Sequence, residues 1–348
     1  MTAKPSTYRA GVMGASGYIG SEMLRYVALH PRLELAWATA NRDAGRPIGA
    51  ILPNLAGAFD QSFVTAQAGE DRVGEADVVF LALPHGESQN VLPRLVDAYP
   101  DILWIDLAGD FRTADPVGFE KYYGGPHQAP AMLDRFVYGF TEAQRPALAG
   151  AKLIANPGCF ATGLLLALYP FLGTGMLQDP ICVTALTGSS GSGREPGRTT
   201  HHPERFQNIR AYKMLQHQHL LEVESFLSQR ANAAIRLQFV PQSAPIVRGI
   251  FATLFLPGQD AAKVTEAVEN AYGHEPLIDV VSGSPDLRLV ASTPRSLVGV
   301  AGAEDRGAVA FTAIDNLGKG AASQAIQNMN CALGLGETTG LDWPGGFV

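Results

Sequence analysis

Cysteine is scarce in this chain, and the 3 that occur stand far apart, at Cys159, Cys182 and Cys331. That spacing excludes a disulfide framework and offers no paired metal-type motif, so a reducing compartment is the simpler expectation. Long apolar runs are missing too. The longest, Gly163 to Leu172, contains Pro170 and is too short to span a bilayer. Met1 to Arg9 lacks the apolar core of a signal peptide. Basic charge is not in excess: the formal net charge of −7 provides no general surface for nucleic acid or membrane. Internal repeats, low-complexity tracts and an evident linker are also absent. The expectation is a soluble, cytoplasmic protein.

What is present suits a large folded chain. Its 348 residues are about right for two domains, and 46% hydrophobic against 17% charged residues can bury substantial cores. The 38 glycines and 23 prolines are dispersed, as many short connections require. Tyr8 to Gly14 reads as a strand, Ser21 to Leu29 as a helix closed by His30-Pro31, and Leu33 to Thr39 as a second strand. Ala76 to Leu83 and Ile102 to Leu107 are near-continuous apolar runs, the mark of buried parallel strands. The alternation predicts an α/β fold, a Rossmann-type parallel sheet with helices on both faces. Beyond Asn156-Pro157-Gly158 longer strands dominate: Ile181 to Leu186, Ile235 to Val240, Gly249 to Leu256 and Ala308 to Ile314. Helices are expected mainly near 217–230 and 260–272, which predicts an α+β second domain with a mostly antiparallel sheet. The helical pattern of Ala321 to Leu333 is expected to pack back on the first domain. The division is therefore 1–157 with 318–348 for nucleotide binding, and 158–317 for catalysis, substrate and oligomerisation.

Where the first strand passes into the first helix the sequence reads Gly14-Ala15-Ser16-Gly17-Tyr18-Ile19-Gly20. Glycines there allow a tight turn and close approach of backbone to a pyrophosphate, whose charge meets helix N-terminal N–H groups. Gly14, Ser16, Gly17, Tyr18 and Ile19 are the candidate contacts, with a plain strand-to-helix turn as the bland alternative. At the end of the second strand stand Thr39, Asn41 and Arg42, with no acidic residue for ribose hydroxyls. An arginine with small polar neighbours fits a 2′-phosphate, so the expected cofactor is NADP.

Cys159 follows Asn156-Pro157-Gly158 and opens a buried helical run, Phe160 to Tyr169. A helix N-terminus favours a thiolate through the dipole and unpaired N–H groups, as a nucleophile requires. A free cysteine is otherwise most often a small buried hydrophobe. Such a nucleophile needs an acid/base partner, and His217 and His219 are the candidates, with Glu222 close enough to orient an imidazole. Which histidine exchanges the proton is open. No third ligand stands at metal spacing, so no metal is expected. The loop from Gly188 to Arg194 offers Ser189, Gly191 and Arg194 to a phosphate or carboxylate, the alternative being a flexible connector.

Together these residues resemble the aspartate-semialdehyde dehydrogenase-like family, in its N-acetyl-γ-glutamyl-phosphate reductase branch of arginine biosynthesis. The landmarks run over nearly the whole chain: GASGYIG (14–20), ADVVFLALPHG (76–86), IDLAGDFR (105–112), ANPGCFATG (155–163), HQHLLE (217–222), RGI (248–250) and AIDNLGKGAASQAIQNMN (313–330). The resemblance places the nucleophile at Cys159 and the histidine pair at His217 and His219. It also implies that Leu83, Pro84 and His85 lie along the cofactor and that Asn316 and Gly318 come near the nicotinamide. Arg112, Asn156 and Glu222 are then expected among the substrate contacts. The implied activity is NADPH-dependent reduction of an acyl phosphate to an aldehyde through a Cys159 thioester, by a homodimer or homotetramer.

Two departures from the family pattern matter. The branch commonly reads H-R-H-T-P-E where this chain has His217-Gln218-His219-Leu220-Leu221-Glu222. The stretch from Arg194 to Tyr212 looks more like lysine-pathway reductases whose substrate is tethered to a small acidic carrier protein. Arg194, Arg198, Arg205 and Arg210 would then form a basic rim for the carrier. Free N-acetylglutamyl phosphate is the first choice and a carrier-bound glutamyl or aminoadipyl phosphate the alternative. Another phosphorylating aldehyde dehydrogenase, such as one for aspartate semialdehyde, is a further alternative. A non-catalytic NADP-binding regulator is the reading from a different class; it would have no need of a cysteine at a helix start.

Overall fold

The computed structural model describes residues 7–344. Most of the N-terminal stretch in which no signal-type core was read lies outside them. The chain divides into two compact units. The first runs to Pro116, then takes Pro126–Pro157 and Ala321–Trp343; the second takes Val117–Gly125, Gly158–Gly320 and Pro344.

The first unit is built on six strands: β1 (Tyr8–Met13), β2 (Leu33–Ala38), β3 (Val78–Leu81), β4 (Leu103–Asp106), β5 (Val137–Tyr138) and β6 (Leu153–Ala155). They form one sheet in the order β2-β1-β3-β4-β6-β5, every pair parallel. β3 and β4 are buried at every position, which is why they read as unbroken apolar runs. One core cluster gathers Trp37, Val79, Leu81, Leu92, Trp104 and Phe111. The order reverses at β1, between β2 and β3, and an open parallel sheet leaves a ligand crevice beyond the strand ends at such a point.

The helix Ser323–Leu333 belongs to this unit. Its polar side chains bind the turn after β5: Gln324 Nε2 and Asn328 Nδ2 donate to the Gly139 carbonyl at 3.1 and 2.9 Å. Asn328 Oδ1 accepts from Thr141 Oγ1 at 2.6 Å. A short π-helical turn, Gly318–Ala322, leads into this helix.

The second unit carries a seven-stranded mixed sheet. Its strands are β7 (Ile181–Thr187), β8 (Arg210–Ala211), β9 (Leu237–Ser243), β10 (Ile250–Pro257), β11 (Ile278–Ser282), β12 (Ser296–Ala303) and β13 (Gly307–Ile314). They are ordered β11-β12-β13-β10-β7-β9-β8. Pairing is antiparallel except for β11–β12 and β7–β9. Alternation along β10 buries Ile250, Ala252, Leu254 and Leu256. The helix Cys159–Leu168 packs on that buried face, where Thr312 Oγ1 of β13 donates to the Gly163 carbonyl at 2.9 Å. The helix Ala261–Tyr272 joins it through Tyr272, whose hydroxyl donates to Leu166 O at 3.0 Å. The sequence division had left 117–125 with the nucleotide domain. The structure groups this segment with the second unit, where Tyr122 is half-buried in the field of Glu224 and Arg236.

Candidate active site

Cys159 is the first residue of a ten-residue helix whose remaining positions are all buried. Gly158 caps that helix in an extended conformation, with no side-chain hydrogen bond at the cap. The Gly158 N–H donates instead to Glu222 Oε2 at 3.0 Å. Glu222 is fully enclosed on the helix His219–Ala231, so it anchors the cysteine turn from a second element. A third element closes on the sulfur-bearing residue. A side chain at Gly320 would place its first carbon 2.9 Å from Cys159 Cβ and 3.2 Å from Cys159 Cα, so only glycine fits. The turn that delivers Gly320 is held by Asp315, whose Oδ1 accepts from the N–H groups of Leu317 and Gly318 at 2.8 and 3.0 Å. Arg248 Nε donates to Asp315 Oδ2 at 2.8 Å and neutralises it.

The two histidines are buried side by side, ring centroids 4.7 Å apart, and both rings meet the edge or face of Phe160, the residue after the cysteine. The His219 N–H donates to His217 Nδ1 at 3.3 Å, which leaves the proton of a neutral His217 ring on Nε2. Burial, and then the nearby Lys213 charge, lower the His217 pKa to about 4, so the ring is neutral at physiological pH. His219 Nε2 lies 3.9 Å from Glu222 Oε1, giving that ring a countercharge whenever it is protonated. Tyr212, a residue that sequence reasoning left without a role, packs against His217 with centroids 5.8 Å apart. Its hydroxyl pKa is raised by burial and next by the charge of Cys159, so the phenol and the sulfur share one electrostatic neighbourhood.

The Gly188–Ser192 turn is stitched to a second loop. Gly188, Ser189 and Ser190 donate their N–H groups to the carbonyls of Gly249, Ile246 and Val247. Ser190 and Asn316 share a side-chain hydrogen bond at 2.9 Å, and Asn316 Oδ1 also accepts from Gly249 N at 2.7 Å. The Asn316 amide is thus committed to holding the two loops together. Ser189 is half-buried, while Gly191 and Arg194 are exposed. The arginines of the next stretch do not make one rim. Arg205 turns inward, donating to Ser243 Oγ and, at 2.6 Å, to the Ala244 carbonyl. Arg198 pairs with Glu204 at 3.1 Å, and Arg194 and Arg210 are exposed. A basic periodicity in sequence does not reveal that one of its members is drawn in by backbone carbonyl oxygens of distant loops.

In the first unit Gly14 has φ +74°, and a side chain there would meet the Ala82 carbonyl oxygen at 2.4 Å. The turns after β1 and β3 therefore lie against each other at the sheet's switch point, with Leu83 Cδ2 3.4 Å from where a Gly14 side chain would begin and Pro84 and His85 next in the chain. Gly17 caps the helix Tyr18–Leu29 with no side-chain hydrogen bond, leaving its first N–H groups for an anion. Ser16 and Ile19 are half-buried and Tyr18 exposed. Thr39 is buried and serves the turn itself, its Oγ1 accepting from Gly14 N at 3.1 Å. Asn41 Oδ1 accepts from Ala66 N at 2.7 Å, and Arg42 is exposed beside it. A dinucleotide phosphate fits this glycine cradle. Arg112 and Asn156 are both buried: Arg112 Nε donates to the Asn156 carbonyl at 2.7 Å, and Asn156 Nδ2 donates to Ala321 O at 3.1 Å.

Comparison with known proteins agrees along the whole chain. The family described as "Semialdehyde dehydrogenase, NAD binding domain" matches residues 9–151, and "Semialdehyde dehydrogenase, dimerisation domain" matches residues 159–316. The N-acetyl-γ-glutamyl-phosphate reductase of Halorhodospira halophila is 40% identical over 339 residues, covering 95% of this chain and 97% of its own length. The protein of the same name from Methanopyrus kandleri is 39% identical over 345 residues, covering 96% and 98%. Among solved structures, aspartate semialdehyde dehydrogenase II of Vibrio cholerae superposes with a TM-score of 0.70 at 17% identity, covering 94% of this chain and 98% of that one. Aspartate semialdehyde dehydrogenase of Candida albicans, solved with NADP, gives 0.62 at 17% identity, covering 94% and 99%. At such identity the structures speak for the fold alone.

Proposed function

Because the chain belongs to the N-acetyl-γ-glutamyl-phosphate reductase family of semialdehyde dehydrogenases, we propose that it reduces N-acetylglutamyl 5-phosphate to the 5-semialdehyde with release of phosphate. The observation that carries the reading is Cys159 at the head of a buried helix, locked by Glu222 through Gly158 and roofed by Gly320, with His217 and His219 against the next residue.

Cys159 Sγ attacks the acyl carbon, and the C–O bond to phosphate breaks, leaving a thioester. N–H groups in the first turn of the helix, at Phe160 and Ala161, have no intrahelical partner and suit the oxyanion. When bound, NADPH supplies the hydride that takes the thioester to the thiohemiacetal level. Collapse breaks the C–S bond, returns the thiolate and frees the aldehyde. His219, with Glu222 as countercharge, is suited to deliver and recover the proton; His217 stays neutral and fixes the His219 backbone. The glycine turn from Gly14 to Ile19, Arg42 and the Leu83–His85 segment are the groups that would hold the cofactor, with Arg42 toward the 2′-phosphate.

The inward turn of Arg205 takes one of the four arginines out of the rim, and Glu204 offsets the charge of the exposed Arg198, which favours the free substrate over an acidic carrier. The second sheet supports a homo-oligomer. Its face away from the helices carries Phe251 and Phe311, ring centroids 5.7 Å apart, and Phe255, 44% exposed, and a second copy would cover them.

Acyl phosphates are labile, so the activity is best read in reverse. Purified protein receives NADP, inorganic phosphate and N-acetylglutamate 5-semialdehyde, and NADPH formation is followed by absorbance. Phosphate-dependent turnover is expected. Protein that binds NADP and gives no turnover would return the carrier-bound substrate to first place.

A further inference from the structure

Two carboxylates in the first unit stand outside the chemistry just described. Asp106 ends β4 and Asp110 follows it in the next turn, and both are fully buried. Asp106 Oδ1 accepts from Ser88 Oγ at 2.6 Å and from Ala108 N at 3.1 Å, while its Oδ2 is buried with no hydrogen-bond partner. Asp110 is fully engaged: Oδ1 accepts from Gly86 N at 2.8 Å and Oδ2 from Gln89 N at 3.1 Å. Ser88, Gly86 and Gln89 all belong to the turn that leaves Pro84-His85 and starts the helix Ser88–Leu95. The same turn is tied once more, where the Gly109 N–H donates to His85 Nδ1 at 2.8 Å. The Pro84–Gln89 turn therefore takes its shape from one short stretch, 106–110.

We propose that Asp106 and Asp110 act as a positioning pair for the cofactor, fixing through their hydrogen bonds to Ser88, Gly86 and Gln89 the turn that presents Pro84 and His85. The proposal rests on the reading that Leu83, Pro84 and His85 line the cofactor crevice. Its electrostatics follow from the neighbours. Asp110 accepts two N–H groups, so it is the better anion of the two. Asp106 has one buried oxygen that nothing solvates, so its neutral form is favoured. Burial, and then the charge of Asp110, raise the Asp106 pKa to about 7, against the opposing effects of Ser88, Ala108 N and Arg112. Burial also raises that of Asp110, opposed by Gly86 N, Gln89 N, His127 and Arg112. His127, from the 126–128 loop, donates through Nε2 to the Asp110 carbonyl, 2.9 Å away, while its Nδ1 accepts from Ala129 N, and burial lowers its pKa. Arg112 Nε and Nη2 donate to the carbonyls of Asn156 and Leu107, and its charge favours the ionised form of both carboxylates less than burial opposes it.

The sign follows. Below neutrality Asp106 keeps its proton and the turn is closed. As pH rises and Asp106 loses its proton, two buried anions repel, and an opened turn that admits water to them gains on the closed one even though the Ser88 hydroxyl favours the anion. Affinity for NADPH then falls.

The test is NADPH affinity, read by its fluorescence on binding, from pH 6 to pH 9 with the full-length protein. A phosphate monoester has a second pKa of about 6, so ionisation of the 2′-phosphate strengthens binding on the acid side. The pair adds a loss of affinity of about 5-fold or more above neutrality, with its midpoint set by Asp106. Asp106→Asn is expected to abolish that alkaline loss and keep the acid arm. Ser88→Ala, a milder change should the first variant misfold, removes a hydrogen bond that favours the anion and is expected to move the midpoint to higher pH. Wild-type affinity that is flat above pH 7, or an alkaline loss that persists unchanged in both variants, overturns the pair. Absence of NADPH binding at every pH overturns the cofactor reading itself, and the proposal with it.

Discussion

His217 shows at the residue scale how placement changes chemistry. In sequence it is one of two histidines separated by Gln218; in the structure it is enclosed by Phe160, Tyr212, His219 and Phe239. Its pKa of about 4, against an ordinary 6.5, means the unfolded chain takes up the proton first as pH falls. Stability from this residue is complete above about pH 6.5 and is lost progressively toward pH 4. At pH 5 the loss amounts to about 2 kcal/mol. Urea unfolding at pH 7.5 and pH 5 should therefore show a larger acid penalty for the wild type than for His217→Gln. Equal penalties in the two proteins would mean that His217 is not buried as a neutral ring.

Between elements, the close contact is that of Gly320 with Cys159. The Gly320→Ala methyl has no room, and two of the three atoms it would crowd belong to Cys159, the third being the Asp315 carbonyl oxygen. A shift of the sulfur by an ångström costs roughly 100-fold in rate. The expected outcome is a fall of that order in kcat and a lowered unfolding midpoint, since overpacking costs about 1–3 kcal/mol, with NADP affinity little changed. A kcat within about twofold of wild type would place the reacting sulfur beyond the reach of this turn.

The same scale explains what could be read in advance. β3, β4, β10 and β13 were legible because burial on one or both faces dictates their pattern. The helices Ser88–Leu95 and Thr141–Leu148 were not foreseen, since each contains a proline, Pro93 or Pro146, that argues locally against a helix. β11 and β12 escaped as well: β12 has Gly299 and Gly302 in its run, and both are needed for close packing against the Gly283 carbonyl and Ala261. Of the site, the cysteine turn and the histidine pair lay in contiguous motifs. The inward Arg205, the Asp315–Arg248 pair and the approach of Tyr212 to the sulfur join residues far apart in the chain, and no local pattern encodes such contacts.

For the molecule as a whole, the second sheet is covered only in part on its second face, where Val290, Leu297 and Ala313 form a small core with Phe251 and Leu287 against it. Helices cover Ile250, Ala252 and Leu254, whereas Phe255 and its neighbours on the opposite face retain exposed aromatic surface. Light scattering behind a sizing column should report a multiple of the chain mass, and Phe255→Asp should shift the protein toward single chains. A wild type that elutes as one chain at micromolar concentration would contradict a second copy on this face.

The central claim, a thioester on Cys159, is tested most directly without phosphate. Protein mixed with NADP and N-acetylglutamate 5-semialdehyde should form NADPH in a rapid burst of about one equivalent per chain and then stall. The protein should gain the mass of the acyl group, the gain mapping to Cys159 and absent from Cys159→Ser. Added phosphate should discharge the label and restart turnover. A Cys159→Ser protein that still gives the burst, or a wild type that turns over without phosphate and carries no acyl group, would contradict the account.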